Sequence, residues 1–245
     1  MGTSASFNGI KNNPNWKSLS NDITRACGSG YVSQKKFDKI LSEFSNLIRS
    51  SRTNNKGSGI IGNGGIRTAT NLGKVLQAIK TDGFISTLSS MGFNANKYST
   101  PHQAINFLLE YCSGVASSLD DVAAKEAERE LLEELGGGAK SLQDLEQNYQ
   151  EILDQYDIDE ILIKYNTYYI NEHLSTMFYE KLLKEKGKEA TSDFYRQLKD
   201  YLLEKLKNLS KKRSLKNIDW ASPEGQNTIA GIIKDTMEAF ENYEY

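Results

Sequence analysis

The sequence predicts an all-α protein, a bundle of several helices with a flexible N-terminal tail and a glycine-rich loop. Apolar residues recur at three- and four-residue spacing over most of the chain, which is the period of one helix face. Only three prolines occur, and the two later ones follow Thr100 and Ser222, as expected for the first turn of a capped helix. The sequence shows no sustained alternation of β-branched residues and no Asn-Gly hairpin turn between strand-like runs, so no strands are predicted.

Seven segments are expected to be helical. In residues 33–51, Ser33 provides an N-cap, and one face carries the apolar residues Phe37, Ile40, Leu41, Phe44, Leu47 and Ile48. The acidic segment 120–135 stops at Gly136, because acids favour the start of a helix and glycine tolerates the positive φ that follows its end. The other expected helices begin at Pro101 and Pro223, follow Ser141, or span about 158–186 and 193–209.

Two segments lack helical periodicity. Residues 1–32 are rich in Gly, Asn and Ser and are expected to form a flexible tail, and residues 50–65 are typical of a flexible linker or loop. Near residue 118 the composition changes from Gly/Ser/Asn-rich and basic to Glu/Lys/Leu/Tyr-rich and acidic. The sequence therefore divides into a tail (1–32), a basic helical region (33–118) and an acidic helical region (119–245).

Charge is distributed unevenly along the chain. Residues 1–100 carry 13 basic and 4 acidic residues, a net charge of +9, whereas residues 101–245 carry 17 basic and 28 acidic residues, a net charge of −11. Three interpretations stay open, in which the basic half meets nucleic acid, an acidic partner or the chain's own acidic half.

Composition also indicates the compartment. The chain contains two cysteines, Cys27 and Cys112, without a CxxC motif, which suits a reducing compartment. The sequence contains no secretory signal pattern, and no apolar run approaches the roughly 18–20 residues that a membrane span needs. We therefore expect a cytoplasmic protein without membrane contact.

Catalytic and binding motifs are weak or missing. Residues 57–62, GSGIIG, match G-x-G-x-x-G, but the preceding SSRTNNK is not strand-like, so a mobile loop is the favoured interpretation. His102 and His173 belong to no metal-binding motif and are expected to be ordinary histidines. The carboxylates of EAERELLEEL are expected to form a solvated face without a raised pKa, namely Glu126, Glu130, Glu133 and Glu134. We expect no enzyme activity, metal or cofactor.

Two further groups of residues are suited to contact with other molecules. Aromatic residues concentrate on one long helix, most of them expected in the core and some in a partner interface: Tyr156, Tyr165, Tyr168, Tyr169, Phe178 and Tyr179. Basic residues flank the glycine-rich loop and suit phosphate contact, although no nucleic-acid-binding motif accompanies them: Arg49, Arg52, Lys56, Arg67 and Lys74.

The opening MGTSAS is the remaining candidate. It matches M-G-x-x-x-[ST], the eukaryotic N-myristoylation pattern, but a single acyl chain gives only marginal membrane attachment. After removal of Met1, Gly2 presents an unhindered α-amine, a group whose ordinary pKa of about 7.7–8.0 leaves part of it neutral near pH 7.5. Spacing alone favours a plain disordered terminus over a modified one.

Several segments, in their order along the chain, resemble a known family. They are MGTSASFNG, GNGGIRTATNLGKVLQAIKTDGFISTLSSMGF, LDDVAAKEAERELLEELGG, YDIDEILIKYNTYYINEHLSTMFYEKL and FYRQLKDYLLEKLKNL. This order resembles the QatB family, a subunit of the four-gene Qat antiphage defence system of bacteria, over nearly the whole chain. The Met-Gly-Thr-Ser opening is the most specific part of the resemblance.

The resemblance implies a non-enzymatic protein that acts with partners. The other subunits of such systems are an ATPase, a TatD-like nuclease and QatC, which is similar to the QueC enzymes that make 7-cyano-7-deazaguanine. Those enzymes activate a carboxylated deazaguanine with ATP and let ammonia attack. In place of ammonia, the Gly2 amine would attack and form an amide. The residues Thr3, Ser4, Ala5 and Ser6 would follow Gly2 into the partner's active site, and Phe7 would stop or anchor the insertion.

A second hypothesis belongs to a different class. In it the chain is a scaffold or adaptor that contacts nucleic acid or other defence subunits through its basic half, and the tail is only a flexible anchor. A salt-sensitive gel shift with DNA or RNA would distinguish this hypothesis from the first.

Overall fold

The computed structural model describes residues 13–54, 62–95, 100–210, 218–220 and 222–241. These residues contain ten α-helices and no strand, so the predicted all-α fold is confirmed. In chain order the helices are α1 (Pro14–Cys27), α2 (Gln34–Asn54), α3 (Asn63–Asp82), α4 (Phe84–Ser90), α5 (Pro101–Cys112), α6 (Leu119–Gly136), α7 (Leu142–Gln155), α8 (Ile158–Lys186), α9 (Lys188–Ser210) and α10 (Pro223–Glu241).

The longest helix, α8, lies at the centre of the bundle. It packs against α6, α9 and α3, and its buried residues face several sides of the helix rather than one stripe. The aromatic rings of Tyr165, Tyr169 and Phe178 are among its largest fully enclosed side chains. The predicted span 158–186 is confirmed, and Gly187 follows it with a positive φ that side chains rarely adopt.

Helix α1 corrects the prediction that residues 1–32 lack helical structure, because residues 14–27 form a regular helix. Asn13 caps this helix by accepting a 3.0 Å hydrogen bond from the N–H of Asn15, and Pro14 supplies a suitable φ at its first position. Its apolar residues have helical spacing and are buried, namely Trp16, Leu19, Ile23, Ala26 and Cys27. A polar average composition therefore hides an amphipathic helix.

The helices on either side of the glycine-rich loop extend further into it than predicted. Helix α2 continues to Asn54 and α3 begins at Asn63, so the expected loop over residues 50–65 is wrong at both ends. The intervening residues 55–61 lie outside the described part of the chain. Helix α3 contributes a continuous face to the core, formed by Ala69, Leu72, Gly73, Val75, Leu76 and Ile79.

Most of the predicted helix starts and stops are confirmed. Thr100 accepts a backbone hydrogen bond ahead of Pro101, and Ser141 caps α7 in the same way. Gly137 ends α6 in the left-handed region with a φ of 55°. Helix α9 is longer than predicted, since it begins at Lys188 instead of residue 193.

One hydrophobic cluster joins buried residues from all ten helices, on both sides of the predicted boundary at residues 118 and 119. Ion pairs also cross this boundary, because Arg67 pairs with Asp121 at 2.8 Å and Lys205 pairs with Asp38. The pair of Arg67 with Asp121 compensates part of the charge asymmetry within the chain, whereas Lys205 and Asp38 each carry the minority charge of their half. The division into two helical regions stays a prediction. No described helix is long and apolar enough to cross a membrane.

Candidate functional site

The acceptor segment predicted from the sequence lies outside the described residues. It consists of Gly2, Thr3, Ser4, Ala5, Ser6 and Phe7, preceded by Met1. The structure does show how the first described helix of the chain is held. Asn13 caps α1, and the Trp16 ring packs on the Phe178 ring of α8 with 4.9 Å between centroids. Helix α1 is therefore attached to the central helix through a buried aromatic contact.

Within the described residues, polar groups converge on the start of α3. Asp120, in the first turn of α6, accepts hydrogen bonds from the backbone N–H groups of Gly62 at 3.3 Å and Gly64 at 2.7 Å. Its carboxylate also accepts a hydrogen bond from the Tyr169 hydroxyl and lies 3.2 Å from His173 Nε2. Helix α3 has no side-chain cap of its own, so Asp120 supplies the negative charge that a helix N-terminus favours.

The environment fixes the protonation states of this cluster. Burial would raise the pKa of Asp120, but hydrogen bonds from His173, Tyr169 and the Gly64 N–H outweigh burial and hold this pKa below its ordinary value. Burial raises the pKa of the Tyr169 hydroxyl well above its ordinary value, and the Asp120 charge raises it further. At neutral pH, Asp120 is therefore an ionised acceptor and Tyr169 a neutral donor.

Two glycines allow α3 to approach this cluster closely. A Cβ atom on Gly64 would lie 2.8 Å from Asp121 Oδ1 and 2.9 Å from Asp120 Oδ2. A Cβ atom on Gly65 would lie 2.6 Å from the hydroxyl oxygen of Tyr169. Neither distance fits a real side chain, so the Gly-Gly pair is required for the contact between α3, α6 and α8.

The neighbouring Asp121 forms a second set of contacts at the same place. Its carboxylate accepts hydrogen bonds from the hydroxyls of Ser117 at 2.8 Å and Ser118 at 2.9 Å, and it pairs with Arg67. Burial opposes ionisation, but these donors outweigh burial and lower the pKa of Asp121 to about 2. Arg67 also donates to the carbonyl oxygen of Ser113 at 3.1 Å, which joins α3 to the connection between α5 and α6.

A third carboxyl group, Glu128 of α6, is completely buried. Burial raises its pKa to about 8, in spite of the Ser113 hydroxyl and the Cys112 thiol beside it. Glu128 stands in the same stretch as the four glutamates expected on a solvated face, but it is not one of them, and it lies in an apolar setting. Helical spacing was the available signal, since Glu128 falls on the face of α6 that carries Ala124 and Leu131.

The acidic face predicted on α6 is otherwise confirmed. Glu126, Glu130 and Glu134 form ion pairs with Arg129, Lys199 and Lys164, and Glu133 is exposed. These side chains lie at the surface or in partly exposed pairs, as expected for a solvated helix face.

The aromatic residues around α8 are mostly in the core, as predicted. Tyr165, Tyr168, Tyr169 and Phe178 are buried. Tyr156 differs from the prediction, because it follows α7, precedes the start of α8 and is about half exposed. Contact of any of these residues with a partner stays a prediction.

The predicted phosphate-contacting residues are only partly described. Arg67 is engaged with Asp121 and Ser113, and Lys74 is partly buried on α3. The side chains of Arg49 and Arg52, and Lys56 as a whole, lie outside the described part of the chain. The described residues therefore do not assemble a basic surface around the loop.

The arrangement at the start of α3 is suited to holding the fold together. A G-x-G-x-x-G motif uses a helix N-terminus to bind a phosphate, but here the Asp120 carboxylate occupies that position. His173 is a core residue that faces Asp120. His102 is exposed, and its Nδ1, when unprotonated, accepts a hydrogen bond from the Asn106 side-chain amide. No group of three or more His, Cys, Asp or Glu among the described residues is placed to hold a metal ion.

Comparison with known proteins assigns the chain to a family. Residues 62–240 match the family described as Qat anti-phage system associated protein QatB. This span begins at the cap of α3 and ends within α10, so it contains the whole carboxyl cluster and does not contain the opening segment. None of the curated proteins and none of the solved structures compared with the chain gave a match. Because the matched span covers well over half of the 245 residues, the chain belongs to the QatB family of the Qat anti-phage system.

Proposed function

We propose that this chain is a non-enzymatic Qat subunit that binds the QueC-like subunit QatC and presents Gly2 as the acceptor of a 7-deazaguanine-type modification. Family membership supports a role in antiphage defence beside the other Qat subunits. The opening MGTSAS supports the acceptor role, since Gly2 carries no side chain and the residues behind it are small.

The observation that carries the proposal is the anchored start of α1. Trp16 is buried against Phe178, so the first described residue, Asn13, has a fixed position at the start of α1. Gly2 lies eleven positions before Asn13 in the sequence. A polypeptide spans at most about 3.3–3.6 Å per residue, so Gly2 can reach about 36–40 Å from Asn13. This reach is sufficient for the terminus to enter the active site of a partner bound beside the bundle.

The described interior supports a non-enzymatic role. Four titratable side chains of the types that act in catalysis, His173, Tyr169, Asp120 and Glu128, are buried and are bonded to groups of the same chain. A substrate needs access to a catalytic group, and these four groups face the core. The reacting group in the proposal is therefore the terminal amine.

In the proposed reaction the partner activates the carboxyl group of a carboxylated deazaguanine with ATP. The neutral Gly2 amine attacks the activated carbonyl carbon, a C–N bond forms, and the bond from carbon to the activating group breaks. The amine releases one proton and the activating group leaves, so the product is an amide. Glycine favours this attack because it places no Cβ beside the nucleophilic nitrogen.

A phage-plating assay with the complete Qat system tests the proposal. Gly2→Val keeps an α-amine but places a branched side chain beside it, and Gly9→Val makes the same change seven residues further along the chain. We expect Gly2→Val to abolish defence while the chain still co-purifies with QatC, and Gly9→Val to retain defence. Full defence by the Gly2→Val variant would contradict the acceptor role.

The alternative scaffold function predicts direct binding to nucleic acid through the basic half. The engagement of Arg67 with Asp121 and Ser113 removes one of the cations on which that hypothesis depends. A gel shift at low salt that disappears at higher salt would favour the alternative, since counterion release makes such binding salt-dependent.

A further inference from the structure

Glu128 lies between helices, with no contact to solvent. Its Oε2 is hydrogen bonded to the hydroxyl of Ser113, and its Oε1 has no hydrogen-bond partner in the described part of the chain. A buried carboxylate requires a cation or several donors to offset the loss of hydration. The Ser113 hydroxyl and the weakly donating Cys112 thiol do not meet that requirement, so the position favours a neutral carboxyl group.

The charged and titratable groups that face Glu128 come from its own helix and from three others: Glu110 and Cys112 of α5, Lys125 of α6, Tyr149 of α7 and Tyr165 of α8. Lys125 is the one cation in this set. Its ammonium group binds the Glu110 carboxylate at 2.5 Å and the Gly114 carbonyl oxygen at 3.0 Å. Lys125 favours ionised Glu128 and Glu110 opposes it, but Glu110 is largely exposed, so the burial of Glu128 itself is the main cost of a negative charge at this position.

Ser113 connects Glu128 to helix α3. Its carbonyl oxygen accepts from Arg67 at 3.1 Å, and its hydroxyl lies 3.4 Å from the Thr68 hydroxyl. The adjacent carbonyl oxygen of Cys112 accepts from Asn71 at 3.0 Å. A change at Glu128 therefore acts directly on the residue that holds the connection between α5 and α6 against α3.

We propose that Glu128 is a proton-dependent latch, whose neutral carboxyl group holds Ser113 and the connection between α5 and α6 against α3. Loss of its proton to solvent places a negative charge in this interior and loosens the connection. A hydroxyl can donate or accept, so Ser113 keeps one hydrogen bond in either state, and the charge itself is what favours opening. This latch is independent of the proposed modification of Gly2.

The direction of the pH effect follows from linkage. The pKa of Glu128 is raised from 4.5 to about 8 in the closed structure. The closed state therefore binds the proton more tightly than an opened state. The resulting stabilisation of the closed state has its full value below about pH 4.5. Above about pH 4.5, the equilibrium constant for closing falls about tenfold per pH unit up to about pH 8, and it is constant at higher pH.

Hydrogen–deuterium exchange of the full chain between pH 6 and pH 8 tests the latch. After correction for the intrinsic pH dependence of exchange, protection of the amides of residues 113–121 should fall about tenfold per pH unit in the wild-type protein. Protection should be independent of pH in Glu128→Gln. The exposed neighbour Glu133 provides the matched control, and Glu133→Gln should behave as the wild type.

Three results would overturn the latch. The first is protection of residues 113–121 that does not change with pH in the wild type. The second is a loss of protection in Glu128→Gln as large as in the wild type, and the third is an equal loss of protection in every helix. Where Glu128→Gln does not fold, Glu128→Met replaces it, because methionine fills a similar volume without a charge. The wild-type profile and its confinement to residues 113–121 decide the proposal in any case.

Discussion

The carboxylate of Asp120 accepts a 2.7 Å hydrogen bond from the backbone N–H of Gly64, although 56 residues separate the two in sequence. This bond joins the first turn of α6 to the first turn of α3. Tyr169 and His173 of α8 bind the same carboxylate, so three helices meet at one buried charge. The position of α3 therefore depends on Asp120.

Asp120→Asn should lower the free energy of unfolding by about 3 kcal/mol at pH 7. The carboxylate has two acceptor oxygens, whereas the asparagine amide has one oxygen and one NH2 group. The NH2 group would therefore face the N–H of Gly62 or Gly64 without a hydrogen bond. Urea unfolding followed by circular dichroism measures this loss. Asp154→Asn, at an exposed position on α7, is the control and should stay within about 0.5 kcal/mol of the wild type. Equal stability of the two variants would show that Asp120 is not structurally important.

Gly65→Ala should destabilise the protein by about 2–3 kcal/mol, because the added methyl group would lie 2.6 Å from the Tyr169 hydroxyl oxygen. Gly28→Ala is a matched control. Its φ of −94° suits alanine, and its methyl group would meet the mobile end of Lys186 at 3.0 Å. Thermal melting of both variants measures the difference. A Gly65→Ala variant as stable as Gly28→Ala would contradict the close packing of α3 on α8.

The loss of folding stability at low pH should depend on Asp120 and Asp121. Both pKa values lie below their ordinary value in the folded chain, that of Asp121 at about 2. A lowered pKa contributes stability above the ordinary value near 3.8, and this contribution is lost as pH falls from about 4 towards about 2. In the double variant with Asn at both positions, the melting temperature should fall less steeply over this range. Parallel curves for the two proteins would refute the assignment.

Trp16→Ala should lower the free energy of unfolding by about 3–4 kcal/mol, because it removes a buried indole and its contact with the Phe178 ring. Lys17, the next residue, is exposed, and Lys17→Ala should change stability by less than about 0.5 kcal/mol. Chemical denaturation of the two variants provides the measurement. A small effect of Trp16→Ala would mean that α1 does not anchor the N-terminal segment.

Local spacing in the sequence was sufficient to predict most of the helices. The span 158–186 and the caps Thr100 and Ser141 follow from residues that are neighbours along the chain. Helix α1 obeys the same rules, since Asn13 and Pro14 start it and its apolar residues have helical spacing. Its many Asn and Ser residues lower the average hydropathy, so composition concealed a pattern that spacing would have revealed.

The buried carboxyl cluster could not be predicted in the same way. Asp120 and His173 are 53 residues apart, and their contact depends on how α6 packs against α8. No local pattern distinguishes Asp120 from the exposed acids that begin other helices. For Glu128 the helical face was informative, but nearby charged residues such as Glu126 and Arg129 suggested a solvated surface.

The most direct test of the central claim is the intact mass of the chain purified after co-expression with QatC, followed by mapping of its N-terminal peptide. The proposed function predicts that Met1 is absent and that Gly2 carries one deazaguanine acyl group in amide linkage. The modification should be absent when the chain is expressed without QatC. A Met-free, unmodified Gly2 in the presence of active QatC would contradict the proposed function.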